Sequence, residues 1–400
     1  MASLFASVEM APRDPILGLN EQFNADPNPK KVNLGVGVYT DDQGKLPLLK
    51  CVAAAEKQMS EAPKARGYLP IDGIVAYDKA VQGLVFGAEH PAVKGGRIAT
   101  AQAIGGTGGL KLGADFLKRL QPNAQVLISD PSWENHRALF ETAGFPVDVY
   151  PYYDAANRGI NFEGMIAKLK ASAAGTIVLL HACCHNPTGY DMTDAQWDEV
   201  IAVVKAQGLV PFLDMAYQGF GNGIAEDGAV VIKFLDAGLS YFVSTSFSKS
   251  FSLYGERVGA LSIVSETAEE SNRVLSQLKR VIRTNYSSPP TSGGQAVAMV
   301  LTTPELRQQW DQELGQMRER IKVMRKLLVE KIRTLRSDFD FNFIIEQRGM
   351  FSYSGLTKEQ VKQLREEYSI YAIDSGRICV AALNTKNIDY VAQAIAKVLV

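Results

Sequence analysis

Apolar runs that alternate with helical patterns between residues 97 and 264 restrict the fold more than any other feature of the sequence. Six of these runs have the length and apolar character of buried strands: 97–104, 126–129, 176–182, 209–213, 241–245 and 260–264. Between two of them, a helix with a capping box begins after Thr193 and ends at Gly208. Strands joined by helices pair in parallel, so the sequence predicts an α/β fold with a mostly parallel sheet.

Residues with useful chemistry follow the carboxyl ends of five of the predicted strands. They are the glycine-rich stretch Gly105–Gly109, Trp133, Asn186, Asp214 and Lys249. In open α/β sheets, ligands bind at the edge where the strands end. Chance accounts for one polar residue at such an edge, but hardly for five with complementary chemistry. The sequence therefore predicts a single site there.

The segment 246–259 brings one lysine, Lys249, to the end of a predicted strand among small hydroxyl residues. The hydroxyls of Ser246 and Ser248 and the guanidinium of Arg257 suit a phosphate group. The predicted helix start at Gly106 and Thr107 adds backbone N–H donors. A lysine beside a phosphate anchor is what a pyridoxal phosphate Schiff base requires. A solvated lysine on a polar turn is the alternative that this segment alone leaves open.

Five further residues fit the other requirements of pyridoxal phosphate and of its substrate. The carboxylate of Asp214 would face the pyridine nitrogen and keep it protonated, and His136 would hold that carboxylate ionised. Asn186 and Tyr217 would donate to the ring hydroxyl group. Arg377, placed just before a predicted strand, would pair with a substrate carboxylate through its two-pronged guanidinium.

A metal site is the competing interpretation of one part of this edge. His181, Cys183, Cys184 and His185 are good zinc ligands by type. Their spacing lacks the separations that let one short segment surround a tetrahedral ion. A buried strand end is the simpler explanation, and we expect no metal.

Charge and cysteine content exclude several other classes of protein. Lys and Arg number 42 against 43 Asp and Glu, which argues against an extended nucleic-acid surface or a basic membrane surface. The four cysteines are few and irregularly spaced, so a disulfide framework is not expected and a reducing compartment fits. Because no secretory leader or membrane-spanning run is present, we expect a cytoplasmic protein.

The C-terminal third predicts a second, smaller α+β domain. Apolar residues recur at helical spacing from Leu306 to Leu335, which predicts one long helix that connects two domains. Strands are predicted at 341–347 and 378–383 and helices at 358–367 and 388–399, besides a short strand at 31–39. We expect a small domain of residues 1–45 and 315–400, with an N-terminal arm at 1–15, and a large domain of residues 46–314.

Several motifs together resemble the aspartate/aromatic aminotransferases, which are fold-type I pyridoxal phosphate enzymes. They are SFSKSFSLYGERVG (246–259), HNPTG (185–189), FLDMAYQGF (212–220), GGTG (105–108), NYSSPP (285–290) and SGR (375–377). The resemblance extends from about residue 12 to the C-terminus. It implies a seven-stranded sheet between helices, pyridoxal phosphate bound covalently, amino acids and 2-oxo acids as substrates, and a homodimer with shared active sites.

The same resemblance assigns roles to individual residues. Lys249 would carry the cofactor and move the substrate proton, and Trp133 would stack on the ring. Tyr68 would reach the cofactor phosphate of the neighbouring subunit. Arg283, contributed by the neighbouring subunit, would bind the distal carboxylate of a dicarboxylic substrate. Arg377 would bind the substrate α-carboxylate. Substrate contacts are expected from Gly37, Trp133, Asn186, Arg283 and Arg377.

The resemblance is divided between the two branches of the family. Gly255, Ser288 and the segment 347–353 look like the aromatic branch, whereas Thr107 looks like the aspartate branch. Val38, Thr40 and Gly67 also depart from the aromatic pattern. We expect an aromatic aminotransferase that also accepts dicarboxylates, with aspartate aminotransferase as the alternative.

A transcription regulator built on such a domain would need an added DNA-binding segment, which we do not expect here. Another pyridoxal phosphate reaction, such as decarboxylation, would release CO₂ instead of a 2-oxo acid.

Overall fold

A sheet of seven strands lies at the centre of the computed structural model, which describes residues 3–12, 14 and 16–399. The strands are β1 Ile98–Ile104, β2 Val126–Asp130, β3 Val147–Pro151, β4 Ile177–His181, β5 Val210–Met215, β6 Tyr241–Ser246 and β7 Val258–Val264. Their order across the sheet is β1-β7-β6-β5-β4-β2-β3. Strand β7 is antiparallel to both neighbours and the other pairs are parallel, which confirms the predicted α/β fold.

Strand β3 is absent from the strands that the apolar pattern predicts. It lies at the edge of the sheet, paired only with β2. Its sequence, VDVYP, has only one fully buried residue, Tyr150. An edge strand with a polar residue and a terminal proline gives a weak apolar signal, because one of its sides faces no neighbouring strand.

Helices cover both faces of the sheet. Alternate residues of each strand point to opposite faces, so Leu179 and Phe212 belong to one hydrophobic cluster while Leu180 and Leu213 belong to the other. The helices are Leu17–Ala25, Lys50–Glu61, Val75–Gln82, Pro91–Lys94, Gly105–Leu120, Glu134–Thr142, Phe162–Lys170, Asp194–Gln207, Ile224–Asp236, Ala268–Asn285, Ser292–Thr302, Pro304–Leu335, Phe343–Glu346, Lys358–Tyr368 and Ile388–Val398. A π-helical turn at Gly83–Gly87 and a 3₁₀ turn at Val380–Ala382 complete the set.

The glycine-rich stretch after β1 forms the first turn of a helix, where the sequence predicted a helix start. The helix begins at Gly105, which has a φ of 66°. A side chain at Gly109 would bring its Cβ within 2.5 Å of Ser244 Oγ, and one at Gly113 would overlap the ring of Phe212. The glycines therefore let this helix lie directly against the sheet.

The predicted long helix is confirmed at Pro304–Leu335, but two strand predictions near it are wrong in extent or type. Residues 341–347 contain the short helix Phe343–Glu346, and the strand follows later, at Phe351–Tyr353. The strand predicted at 378–383 spans only Arg377–Cys379, which pairs antiparallel with Phe351–Tyr353.

The strand predicted at 31–39 is also much shorter. Only Val32–Asn33 forms a strand, paired with Ile370–Tyr371. Asn33 Oδ1 accepts hydrogen bonds from Gly35 N (3.0 Å) and Val36 N (3.3 Å), so its side chain turns the backbone out of the strand. The residues that follow become a loop.

The two-domain division stays a prediction. Its boundary at residue 315 falls inside the long helix, whose buried apolar residues belong to the large hydrophobic cluster on one face of the sheet. The predicted arm at 1–15 includes residues 1, 2, 13 and 15, which lie outside the described residues; residues 3–12 are exposed. All four cysteines are free and buried. Within the described chain, no helix combines the length and apolar character needed to cross a membrane.

Candidate active site

A cavity of about 960 Å³ opens at the carboxyl ends of the parallel strands. Its lining includes twelve of the residues predicted for the site: Gly37, Gly106, Thr107, Trp133, Asn186, Asp214, Tyr217, Ser246, Ser248, Lys249, Arg257 and Arg377. The cavity brings together residues that are more than 300 positions apart in sequence, from Gly37 to Arg377. The predicted convergence at this edge is therefore present in the structure.

One end of the cavity has the donors of an anion site. The helix that begins at Gly105 presents its first backbone N–H groups, which have no partner within a helix. Arg257 Nη1 lies 3.4 Å from Ser248 Oγ and donates to Tyr254 O at 2.8 Å. A Cβ on Gly105 would come within 2.6 Å of Arg257 Nη2, so the absence of a side chain there leaves room for the guanidinium beside the helix start.

Asp214, in strand β5, lies at the floor of the cavity and is held by a histidine. His136 Nε2 is 2.8 Å from Asp214 Oδ2, and His136 Nδ1 is 2.9 Å from Ser132 Oγ. Burial alone would raise the pKa of the Asp214 carboxyl, but the hydrogen bond from His136 and the charge of Lys249 hold that pKa below its usual value. The carboxylate is therefore anionic at neutral pH, as the sequence predicted for a partner of a ring nitrogen.

Lys249 follows strand β6, and its Nζ lies 4.8 Å from the centre of the Tyr217 ring. Burial lowers the pKa of the Lys249 amine to about 8, against the opposing effect of Asp214. The neutral, nucleophilic fraction of this amine near physiological pH is therefore larger than at the ordinary lysine pKa, although the protonated form still predominates. Burial also raises the pKa of the Tyr217 hydroxyl, which stays protonated and able to donate.

The rate at which cofactor-free protein binds pyridoxal phosphate covalently should depend on the fraction of Lys249 that is deprotonated. Only the neutral amine attacks an aldehyde, so the second-order rate should rise about tenfold per pH unit below the pKa and level off above about 8. Stopped-flow absorbance of the bound cofactor between pH 6 and pH 10 measures this profile. A midpoint near the ordinary lysine value of 10.5 would contradict the lowered pKa.

Arg377 is held rigidly at the wall of the cavity. Its Nη1 donates to Asn186 Oδ1 at 3.0 Å, and its Nη2 donates to Gly35 O at 2.6 Å. The guanidinium also stacks over the ring of Phe351, 4.3 Å from its centre. Since Asn186 Oδ1 accepts from Arg377, the Asn186 amide nitrogen is the group left to donate into the cavity.

Sequence reasoning missed Phe351 and Tyr254, which also line the cavity. Tyr254 Oη accepts a hydrogen bond from Tyr39 N at 3.0 Å and so connects the lysine segment to the loop that contains Gly37. A Cβ on Gly37 would lie within 2.6 Å of the Phe351 ring. Both residues stand within segments that carry the family resemblance, Tyr254 in 246–259 and Phe351 in 347–353, and that position was the available signal.

Two predicted site residues lie outside this cavity. Tyr68 is 98% exposed and lines a different cavity with Arg66 and Gly67. Arg283 is exposed near the end of a helix and hydrogen-bonds Ser287 Oγ. The resemblance assigned both residues to the site of a neighbouring subunit, and that assignment stays a prediction.

The four residues of the competing metal interpretation do not share one donor set. His185 has both ring nitrogens engaged, with Ser129 Oγ and Thr188 Oγ1 at 2.9 Å each. Cys183 and Cys184 lie instead with Asp227. His181 is separate from the cysteines and close to His136 and Asp214.

The residues of the cavity fit pyridoxal phosphate. His181 lines it with neither ring nitrogen hydrogen-bonded to any described residue, and Arg377 Nε is likewise without a partner among them. Unsatisfied polar atoms in a buried cavity favour a polar occupant. A helix start with free backbone N–H groups, an amine of lowered pKa and an ionised carboxylate are three groups that the cofactor needs.

The fold and this constellation define the class as an α/β transferase of fold type I. The family pattern named Aminotransferase class I and II matches residues 29–395. An aspartate aminotransferase of Pseudomonas aeruginosa is 63% identical over 397 residues, covering 99% of this chain and 100% of the relative. An aromatic-amino-acid aminotransferase of Escherichia coli is 51% identical, with the same coverage.

A solved structure is equally similar. An aromatic-amino-acid aminotransferase from Burkholderia pseudomallei, covalently bound to pyridoxal phosphate, superposes with a TM-score of 0.98 at 65% identity and covers 100% of both chains. The chain therefore belongs to the class I and II aminotransferases. Membership implies that it is a transaminase of amino acids and 2-oxo acids, with pyridoxal phosphate as cofactor.

Proposed function

We propose that the protein transfers the α-amino group of tyrosine or phenylalanine, and also of aspartate, to 2-oxoglutarate, with pyridoxal phosphate attached through Lys249. The observation that carries this proposal is that Lys249, Asp214 and Arg377 line one cavity. When bound, the cofactor supplies an aldehyde that takes up the amino group and a ring that accepts the electron pair released at the substrate Cα.

The residues of the chain divide the remaining work. Arg377 pairs with the α-carboxylate and fixes the orientation of the substrate. The Lys249 amine takes the proton from the substrate Cα and returns it on the product side. Asp214 holds a positive charge on the ring nitrogen, while Asn186 and Tyr217 donate to the ring hydroxyl group. Trp133 covers one face of the ring.

The position of the phosphate follows from the anion site. Gly106 and Thr107 supply backbone N–H groups, and Ser246, Ser248 and Arg257 supply side-chain donors. This end of the cavity is fixed by the sheet and by the adjacent helix, so the phosphate anchors the reacting end of the cofactor near Lys249.

The dual substrate range is supported by the walls of the cavity and by the relatives. Leu17, Val36 and Val38 give it an apolar side that an aromatic ring fits. Relatives named for aspartate and for aromatic amino acids both exceed 50% identity.

The ratio of kcat/KM for tyrosine, phenylalanine and aspartate with 2-oxoglutarate tests the proposal. A preference for aspartate above about 100-fold would favour the alternative, an aspartate aminotransferase, and loss of CO₂ from the substrate would indicate a different reaction.

Arg283→Leu should lower kcat/KM for aspartate by about 10²-fold and for tyrosine by less than about threefold. A distal carboxylate that loses a two-pronged arginine partner forfeits about 1.5–3 kcal/mol or more, whereas an aromatic ring loses nothing equivalent. Steady-state kinetics with both donors measures this. Equal losses for the two donors would show that Arg283 does not bind the distal carboxylate.

We further propose a homodimer in which Tyr68 and Arg283 serve the neighbouring site. Their exposure, and the exposed apolar residues Leu4, Phe5 and Met10, support a partner surface. Mixing Lys249→Ala chains with Arg283→Leu chains creates hybrids with one native site, so aspartate activity should reappear on mixing. No recovery, or the mass of a single chain by light scattering, would contradict shared sites.

The expected cytoplasmic location stays a prediction.

A further inference from the structure

A second cavity, of about 230 Å³, lies beside the long helix and shares no lining residue with the active site. Four of its lining residues are cations: Lys322, Arg325, Lys326 and Arg348. The rest of the described lining consists of apolar, glycine and amide residues, without a carboxylate. A small cavity with four converging cations is unusual on a protein whose charges nearly balance overall, at 42 against 43.

Arg325 is the buried base of this cavity, with an exposed fraction of only 3%. Its Nε donates to Ser352 Oγ at 3.1 Å, and its Nη2 donates to Gly349 O at 2.7 Å and Phe351 O at 2.9 Å. Nη1 makes no hydrogen bond to a described residue. Burial lowers the pKa of the guanidinium to about 10, so the group still carries its charge at neutral pH. One donor nitrogen of a fixed cation is therefore available to a ligand.

Two buried carboxylates near this cavity hydrogen-bond to main-chain donors and form no ion pair with its cations within the described residues. Asp227 is buried, and its oxygens accept from the backbone N–H groups of Gly219, Gly221 and Asn222 at 2.8–2.9 Å. Asp191 is likewise engaged, by the N–H groups of Cys184 and His185. Both therefore point their oxygens at main-chain donors.

At the rim, the lysines remain available as well. Lys322 Nζ lies 3.1 Å from Glu319 Oε1, but that carboxylate is 61% exposed and also serves Arg318, so the pair is a weak surface contact. Lys326 forms no ion pair within the described residues. Arg348 Nη1 donates only to main-chain carbonyls, such as Glu346 O at 2.9 Å.

We propose that this cavity binds a small dianion of the phosphate type. Arginine forks and lysine point charges together are the donors that phosphate oxygens select. A volume of about 230 Å³ holds inorganic phosphate or a small phosphate monoester, but is below the size of pockets that take larger ligands. The site is separate from the anion site at Gly105, to which the proposed function assigns the phosphate of the cofactor.

Isothermal titration of the holoenzyme with sodium phosphate tests this, because the bound cofactor already fills the anion site of the active-site cavity. Sodium chloride at equal ionic strength is the reference. We expect one saturable site per chain, and about tenfold or greater weakening in Lys322→Gln/Lys326→Gln, because a hydrogen bond to a charged group is worth that factor. Lys358→Gln/Lys362→Gln removes the same charge from exposed positions elsewhere and should leave the affinity unchanged.

The same titration with glycerol 3-phosphate separates free phosphate from a phosphate ester as the ligand. Binding of either that weakens in the cavity variant supports the proposal, and their relative affinities identify the source. Equal affinity in the wild type and in Lys322→Gln/Lys326→Gln would place the phosphate elsewhere, for example on the substrate arginines. That result, or a titration that never saturates, as for an adventitious ion only, overturns the proposal.

Discussion

Lys249→Ala should lower kcat by about 10⁴-fold or more with every amino donor, while the protein stays folded. Lys249 is the only lysine that lines the active-site cavity in the described part of the chain, so no other amine can move the proton at the substrate Cα. A positioned acid–base group contributes about 10²–10⁴-fold, and loss of the covalent attachment adds to this. Steady-state turnover of tyrosine and of aspartate with 2-oxoglutarate measures the effect.

Two matched variants separate the chemistry of Lys249 from its charge and from general damage. Lys249→Arg keeps a cation but cannot lose its proton near neutral pH, so it should be as inactive as the alanine variant. Lys233→Ala removes a surface lysine paired with Asp198 and should retain activity within about twofold. Lys249→Ala removes a partly buried cation and with it the cost of desolvating that charge. Unfolding of Lys249→Ala in urea should therefore show no loss of stability. More than about a tenth of the activity in Lys249→Ala would refute the assignment.

The positions of Lys249 and Asp214 were predictable because their signals are local. Each comes near the carboxyl end of an apolar run that forms a strand, Asp214 within β5 and Lys249 three residues after β6, where the sequence changes from apolar to polar residues. The edge at which they meet follows from parallel pairing, which helices between strands enforce. Fold class and the centre of the site were thus available from the sequence.

The hydrogen bonds that position Arg377 and the lysine segment were not predictable, because they join distant segments. The hydrogen bond from Arg377 to Asn186 spans 191 residues, and the one from Tyr39 to Tyr254 spans 215. Nothing in the pattern around Phe351 shows that it lies under an arginine. Only the folded tertiary structure defines these contacts.

The error at 341–347 has a similar origin. Phe341, Phe343 and Ile345 recur at every second position, as on one face of a strand, yet only a short helix forms there. Arg325, from the long helix, takes the carbonyls of Gly349 and Phe351. These buried hydrogen bonds hold the later segment, which then pairs with Arg377–Cys379. Tertiary contacts outweighed the local alternation.

Arg377→Leu should lower kcat/KM by about 10²–10⁴-fold for tyrosine, phenylalanine and aspartate alike. All three donors share the α-carboxylate, and an arginine fork contributes two charge-assisted hydrogen bonds of about 1.5–3 kcal/mol each. Arg377→Lys should recover part of the loss, because a lysine restores the charge without the fork. Steady-state kinetics with each donor measures both effects. A loss confined to aspartate would mean that Arg377 binds the distal carboxylate instead.

The stability of Arg377→Leu decides how its kinetic loss is interpreted. Leucine leaves Asn186 Oδ1 and Gly35 O without the donors that they have now, at a cost of about 1–3 kcal/mol for each buried acceptor. A loosened loop at Gly35 would also move Gly37 away from Phe351 and alter the apolar side of the cavity. Tyrosine would then lose more than aspartate, whereas a missing carboxylate partner affects both equally. Unfolding in urea, measured beside the kinetics of the two donors, therefore separates loss of the substrate clamp from loss of the loop that supports it.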